Sequence, residues 1–401
     1  MDQFKTNRGE KSLRAGTGAL VCGGHFQGLG VIRSLGRKGI PVTLIDNEMS
    51  IGRFSRYLSD FHRCPDVRDE SEFLQFLIDL ALKAGKKGWV IFPTDDETVY
   101  VLSRFREELS PHFRITIPGW EVIRYTYEKK NTYQLAQSMG IPIPKTWYPG
   151  DESALASLPL NFPVLLKPSV VKKFFNVRKK KAFIARNSEQ LSVMYREMAA
   201  VIPADEILVQ EMIPGGPEHL YSFCPLVNNG KIAAQVTARR SRQHPMDLGH
   251  ASTFVETIHI PELEATSARL LNRIGYEGLA EVEYKFDPTT GEYKLLDINT
   301  RVWGWHTLAI RAGVDLPYLL FQTMLGEPVT APDFQDGVRW IRLMTDVPTV
   351  FFEIIKSRMQ MSVYLKTLRR PMEFAVLSKD DILPCLAELV LLPYLYYKRG
   401  F

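Results

Sequence analysis

The stretch that most constrains this chain lies between Ala280 and His306. Two short alternating runs, A-E-V-E-Y-K-F (280–286) and E-Y-K-L-L-D-I-N (292–299), flank Asp287-Pro288-Thr289-Thr290-Gly291. Alternation on both sides of a turn-forming cluster predicts a β-hairpin. Residues two apart share a strand face, so Asp297 and Asn299 point the same way. With Glu283 at the centre of the first strand and on that face, three hard oxygen ligands converge. Such a set suits Mg²⁺, whereas zinc would want Cys or His. Mg²⁺ held by a few side chains keeps waters and takes substrate phosphates as well. Arg301 follows two residues on, a planar fork suited to phosphate or carboxylate. The bland alternative is an ordinary hairpin with solvated acids on one face.

The 401 residues allow two or three domains. The first is a βαβ start. G-A-L-V (18–21) reads as a buried strand, C-G-G-H-F-Q-G-L-G as a turn, Leu29 to Lys38 as a helix, and P-V-T-L-I-D as a strand ending at Asp46. A third unit runs from a helix over 70–84 to G-W-V-I-F-P-T-D-D-E-T, ending in Asp95, Asp96 and Glu97. His25, Gln27, Asp46, Thr94 and Asp95 would share the carboxyl edge of the sheet, where open α/β sheets bind ligands. Asp96 is also readable as a helix cap. A nicotinamide site is an alternative here, but Gly23, Gly24, Gly28 and Gly30 do not spell G-x-G-x-x-G.

Further along, E-K-K-N-T-Y-Q-L-A-Q-S-M-G-I-P-I-P-K-T-W (128–147) is a helix with a clear stop. Gly140 caps it and the prolines prevent continuation. In F-P-V-L-L-K-P (162–168), Lys167 ends an apolar strand and needs an anion if it is buried. K-A-F-I-A from Lys181 would pair with it. The segment between them, S-V-V-K-K-F-F-N-V-R-K-K, reads as a basic loop without glycine, which Phe174 and Phe175 could pack down. A strand over 206–209 enters Q-E-M-I-P-G-G-P-E-H. Another, from Lys231, enters R-R-S-R. Arg240 and Arg242 share a side if that strand continues.

In their order, these motifs resemble those of the ATP-grasp superfamily over roughly residues 18 to 330. D-I-N-T-R is similar to its E-x-N-x-R metal motif, with Asp297 in place of the usual Glu, and Glu283 matches its other metal ligand. The resemblance implies phosphate contacts for Lys129 and Lys167, with Lys181 added to the nucleotide set. It implies adenine contacts through the backbone around Glu211, Met212 and Ile213, and a ribose contact through Glu218, which also reads as a helix-start acid. It implies that Arg301, Arg240 and Arg242 clamp the γ-phosphate and a substrate carboxylate. The fold implied is α/β and α+β: a pre-ATP-grasp, Rossmann-like domain (18–125), a two-lobed ATP-grasp domain (126–330), and a helical C-terminal extension (331–401). The chain looks most like the carboxylate–amine ligases of the D-aspartate ligase type. They activate an acid as an acyl phosphate with ATP and one or two Mg²⁺ ions, for which Mn²⁺ can substitute. Partners would be a small carboxylate and a small amine, with a homodimer compatible. Competing readings are an ATP-binding regulator without turnover and a nicotinamide-dependent dehydrogenase.

A net charge of +5 fits small anions at least as well as nucleic acid. Cys22, Cys64, Cys224 and Cys385 have no metal or redox spacing, as in a reducing cytoplasm. The polar N-terminus does not read as a signal peptide. The end, D-D-I-L-P-C-L-A-E-L-V-L-L-P-Y-L-Y-Y-K-R, is apolar but too short to span a bilayer. It could pack on the body, lie on a membrane surface or cover a partner. His306 is a further candidate for substrate contact.

Overall fold

Three sheets divide the chain, each built from a different kind of sequence pattern. The computed structural model describes residues 16–178, 180–246, 249, 251–369 and 371–394. The first sheet has five parallel strands in the spatial order third, second, first, fourth, fifth, from Ala19–Cys22 to Arg114–Ile115. Its central strands are buried throughout and mostly apolar because helices cover both faces. The expected βαβ start is present, with the first helix at Phe26–Gly36. Asp95 caps the Asp96–Arg104 helix by accepting from the Thr98 N–H. The cap is therefore one residue earlier than the alternative reading placed it.

The second sheet is small. Val164–Pro168 pairs antiparallel with Phe183–Ala185 on one side and with Ile207–Glu211 on the other. Thr146–Trp147 completes it. This lobe has its own core, in which Leu166, Phe174, Phe183, Tyr195 and Val209 are buried together. The segment expected as a basic loop is instead a helix, Val171–Arg178. Burial of Phe174 against Phe183 anchors it, with ring centroids 5.5 Å apart.

The third sheet has eight strands and contains the acidic hairpin. Its two strands are Glu281–Asp287 and Glu292–Asn299. Glu283 lies directly opposite Asp297, and Glu281 opposite Asn299. Gly291 closes the turn at φ +72°, a backbone conformation that a side chain would strain. The Lys231–His244 strand runs through the arginine cluster, with register shifts between Arg239 and Gln243.

The C-terminal extension is not helical alone. Arg339–Ile341 pairs with Ala251–Thr257, and Met372–Phe374 adds outside it, so the extension widens the large sheet. It is held to the first domain by the buried Arg33–Asp381 pair at 2.9 Å and by Arg37 on Asp380 at 2.8 Å. In the apolar end, the Leu383–Val390 helix buries Pro384, Ala387 and Glu388 and leaves Leu383, Leu386, Leu389 and Val390 exposed. The last part of that motif and the N-terminal polar stretch lie outside the described residues. Among those described, no helix is long and apolar enough to cross a membrane.

Candidate active site

A cavity of about 730 Å³ opens where the three sheets meet. The acidic hairpin forms its floor, the small lobe its roof, and the carboxyl edge of the first sheet its rear wall. Lys129, Lys167, Lys181, Glu211, Met212, Ile213, Arg240, Glu283, Asp297, Asn299 and Arg301 all line it. Residues more than 170 positions apart in sequence therefore converge, as the ordered motifs lead one to expect.

On the floor, oxygen donors and cations interlock. Asn299 Nδ2 donates to Glu283 Oε1 at 2.7 Å and to Glu281 Oε2 at 3.1 Å. Arg240 Nη2 donates to Glu283 Oε2 at 2.6 Å, and its Nη1 stands 3.8 Å from Glu281. The Lys129 ammonium donates to Asp297 Oδ2. Burial alone would raise the Glu283 carboxyl, but the adjoining Arg240 outweighs it and holds Glu283 below the usual range. Glu281 is pushed up to about 7 by its burial and then by the charge on Glu283. Burial likewise tends to lower Lys129, yet Asp297 keeps it above the ordinary lysine value.

Lys167 is different. Its ammonium donates to a neutral partner, Gln210 Oε1, at 2.7 Å. Burial, with the neighbouring Lys129 charge, lowers its pKa to about 8. A desolvated ammonium without a carboxylate in hydrogen-bond contact is a site that an anion completes.

Glu283, Asp297 and Asn299 supply oxygen donors only, and that chemistry fits Mg²⁺. Among the described residues no three His, Cys, Asp or Glu side chains gather as a metal cluster. The candidate set has two carboxylates and one amide, which leaves coordination positions for phosphate oxygens and water.

Arg301 Nε donates to Asp96 Oδ1 at 2.6 Å, and its Nη2 donates to Asn299 Oδ1 at 3.2 Å. This joins the edge of the first domain to the hairpin. Of the edge residues expected there, Gln27 reaches the cavity, beside Phe26 and Asp96. Asp46 instead accepts from the Gly24 N–H at 2.7 Å, and a Cβ on Gly24 would meet Ser50 Oγ at 2.3 Å. The glycine turn is filled by its own domain, which argues against a dinucleotide seated on it.

Three expectations need correction. Arg242 does not enter the cavity. Its guanidinium grips Asp346 with two bonds of 2.8 and 2.9 Å, both partners buried, and stacks 3.9 Å from the Phe254 ring centre. The register shift after Arg239 breaks the two-residue alternation that would have put Arg240 and Arg242 on one side. Glu218 is also outside the lining: its carboxylate accepts from the Gly216 N–H at 2.9 Å, capping its own turn. His306 is buried, with Nδ1 2.9 Å from the Trp303 carbonyl, and makes no part of the cavity.

Sequence reasoning missed Glu281, Lys285 and Gln210. Glu281 sits two residues before Glu283 on the same face, so alternation was signal enough. Lys285 Nζ donates to the carbonyls of Ile213 at 2.9 Å and Gly215 at 2.7 Å, tying the hairpin to the hinge. Nothing local announces that contact.

The cavity thus lies between the small sheet and the acidic hairpin, beside a parallel α/β domain. A family model described as "ATP-grasp in the biosynthetic pathway with Ter operon" matches residues 204–345. A D-aspartate ligase of Enterococcus faecium (strain Aus0004) is 25% identical over 254 residues, 59% of each chain. The chain thus spans well under two thirds of that relative's length. Among solved structures, the biotin carboxylase domain of Hydrogenobacter thermophilus 2-oxoglutarate carboxylase, with MgADP and bicarbonate, superposes at a TM-score of 0.64. It is 18% identical, over 80% of this chain and 73% of that one. An L-amino acid ligase from Bacillus licheniformis gives a TM-score of 0.60 at 13% identity, over 78% and 75%. An ATP-grasp family model thus matches residues 204–345, and the chain is similar to a D-aspartate ligase over 254 residues.

Proposed function

We propose that this protein uses Mg-ATP to activate a carboxylate as an acyl phosphate and joins the acyl group to an amine, releasing ADP and phosphate. The observation that carries this reading is the cavity itself. Lys129, Lys167, an oxygen-only donor set and two arginines, Arg240 on a strand and Arg301 in the segment after the hairpin, face one space. Mg²⁺, held by Glu283, Asp297 and Asn299, would neutralise charge on the phosphate oxygens.

Lys167 is the group best placed to receive a phosphate, because it is desolvated and lacks a carboxylate in hydrogen-bond contact. The hinge backbone at Glu211–Ile213 faces the same space and would hold the base. A carboxylate oxygen attacks the γ-phosphorus and ADP departs. The amine nitrogen then attacks the acyl carbon, and phosphate leaves with the former carboxylate oxygen as the nitrogen loses a proton. Arg240 and Arg301, which line the same cavity, would stabilise the negative charge that develops. No protein nucleophile is required. The likeness to a D-aspartate ligase and an L-amino acid ligase supports an amino acid as one substrate.

The test is a matrix of amino acids and small amines scored for phosphate release with Mg-ATP. Release that needs both an acid and an amine is expected. Saturable nucleotide binding with no turnover for any pair would instead establish a binding protein.

A further inference from the structure

We propose that the C-terminal extension seats this protein on the surface of an anionic phospholipid bilayer, through the outward faces of its 343–355 and 361–367 helices. The first of these helices is inside out. Its inner face is largely polar: Asp346 takes Arg242 and Thr253, and Thr349 meets His244 Nδ1 at 2.7 Å. Glu353 is buried on that face too. Its outer face carries Leu343, Val347, Phe351 and Ile355 at four-residue spacing, with Phe352 beside them. Phe351 and Phe352 are 58% and 56% exposed and Ile355 is 63% exposed. A helix packed for its own sake on a protein body turns its apolar stripe inward. This one turns it out.

The neighbouring Met361–Thr367 helix has no buried residue, and Met361, Val363, Leu365 and Leu368 are exposed there. Large apolar side chains gathered in this way mark an interaction surface.

Charge selects the occupant. Residues 343–369 contain two acids, Asp346 and Glu353, and both are buried. The exposed charges are Lys356, Arg358, Lys366 and Arg369, all basic, with Arg358 3.9 Å from Glu353. Apolar side chains ringed by exposed cations match the boundary between acyl chains and anionic headgroups. A second copy on a twofold axis would set this basic rim against its own image. Thirteen residues cannot span the bilayer, so the helix would lie in the plane of the interface. The sequence beyond the described residues, L-Y-Y-K-R, repeats the pairing of aromatic and basic groups.

The test is co-sedimentation of the full chain with vesicles of phosphatidylglycerol in phosphatidylcholine. Wild type should pellet with these vesicles. Binding should fall by about tenfold or more in pure phosphatidylcholine or at high salt. The double variant Phe351→Glu, Phe352→Glu should stay in the supernatant while unfolding at the wild-type temperature. If that variant fails to fold, Lys356→Glu with Arg358→Glu, at exposed positions, should weaken binding by at least about tenfold, since each basic residue contributes roughly fivefold. The proposal is overturned if wild type ignores anionic vesicles or if the charge variant binds as wild type does. It is also overturned if light scattering shows a dimer that the Phe351, Phe352 variant turns into a monomer.

Discussion

Replacing Lys167 by methionine should make the protein more stable and less able to hold nucleotide. The fall of the Lys167 pKa from 10.5 to about 8 corresponds to about 3 kcal/mol against the charged form in the folded state. Methionine keeps much of the stem's packing and removes that charge. It also removes the bond to Gln210 Oε1, worth about 1 kcal/mol, and the side chain faces a cavity open to solvent, which screens part of the penalty. A net gain of about 1–2 kcal/mol remains at pH 7. The sign depends on pH. A lysine depressed on folding destabilises fully below pH 8, and the penalty fades as pH rises from about 8 toward 10.5. The advantage of Lys167→Met should shrink over that window. Urea unfolding of the nucleotide-free protein at pH 7 and pH 9.5 measures it, and calorimetric titration with Mg-ATP measures the loss. Removing a desolvated cation from a phosphate should weaken binding by at least about thirtyfold, or 2 kcal/mol. A variant less stable than wild type at pH 7, with nucleotide affinity intact, would refute the reasoning.

Other outcomes follow from the same geometry. Asp297→Asn should abolish amine-dependent ADP release while circular dichroism shows an unchanged fold, because the hairpin register does not rely on that charge. Arg242→Ala leaves Asp346 buried and uncompensated. It should lower stability by about 3–5 kcal/mol in urea and leave Mg-ATP affinity unaltered at permissive temperature. Mg-ATP affinity of the wild type should decline above pH 8 as Lys167 loses its proton, by up to about tenfold per pH unit, and this decline should vanish in Lys167→Met. Glu218→Ala should leave nucleotide affinity unchanged if its carboxylate stays on the Gly216 N–H, and a large loss would show that it swings into the cleft.

Much of the site was legible in the sequence because its signals are local. A strand alternates with period two, so D-I-N placed Asp297 and Asn299 together, but a one-residue register shift between Glu283 and Tyr284, which the turn at 287–291 does not dictate, sets Glu283 opposite Asp297. Lys167 betrayed itself as a cation ending an apolar strand, and Gly140 as a helix stop. What the sequence could not settle depends on partners far along the chain. A register shift sends Arg242 away from Arg240 and onto Asp346, about a hundred residues later. Arg301 meets Asp96 across 205 positions, and Lys285 reaches the hinge across about 70. The extension's three-residue strands carry no strong pattern of their own until the open edge at Ala251–Thr257 pairs with Arg339–Ile341, which in turn pairs with Met372–Phe374. The 343–355 helix is amphipathic by sequence, but only packing tells which face is turned inward. Its acids go inward because Arg242 is already buried there and needs a counter-charge, and that leaves the apolar stripe outside.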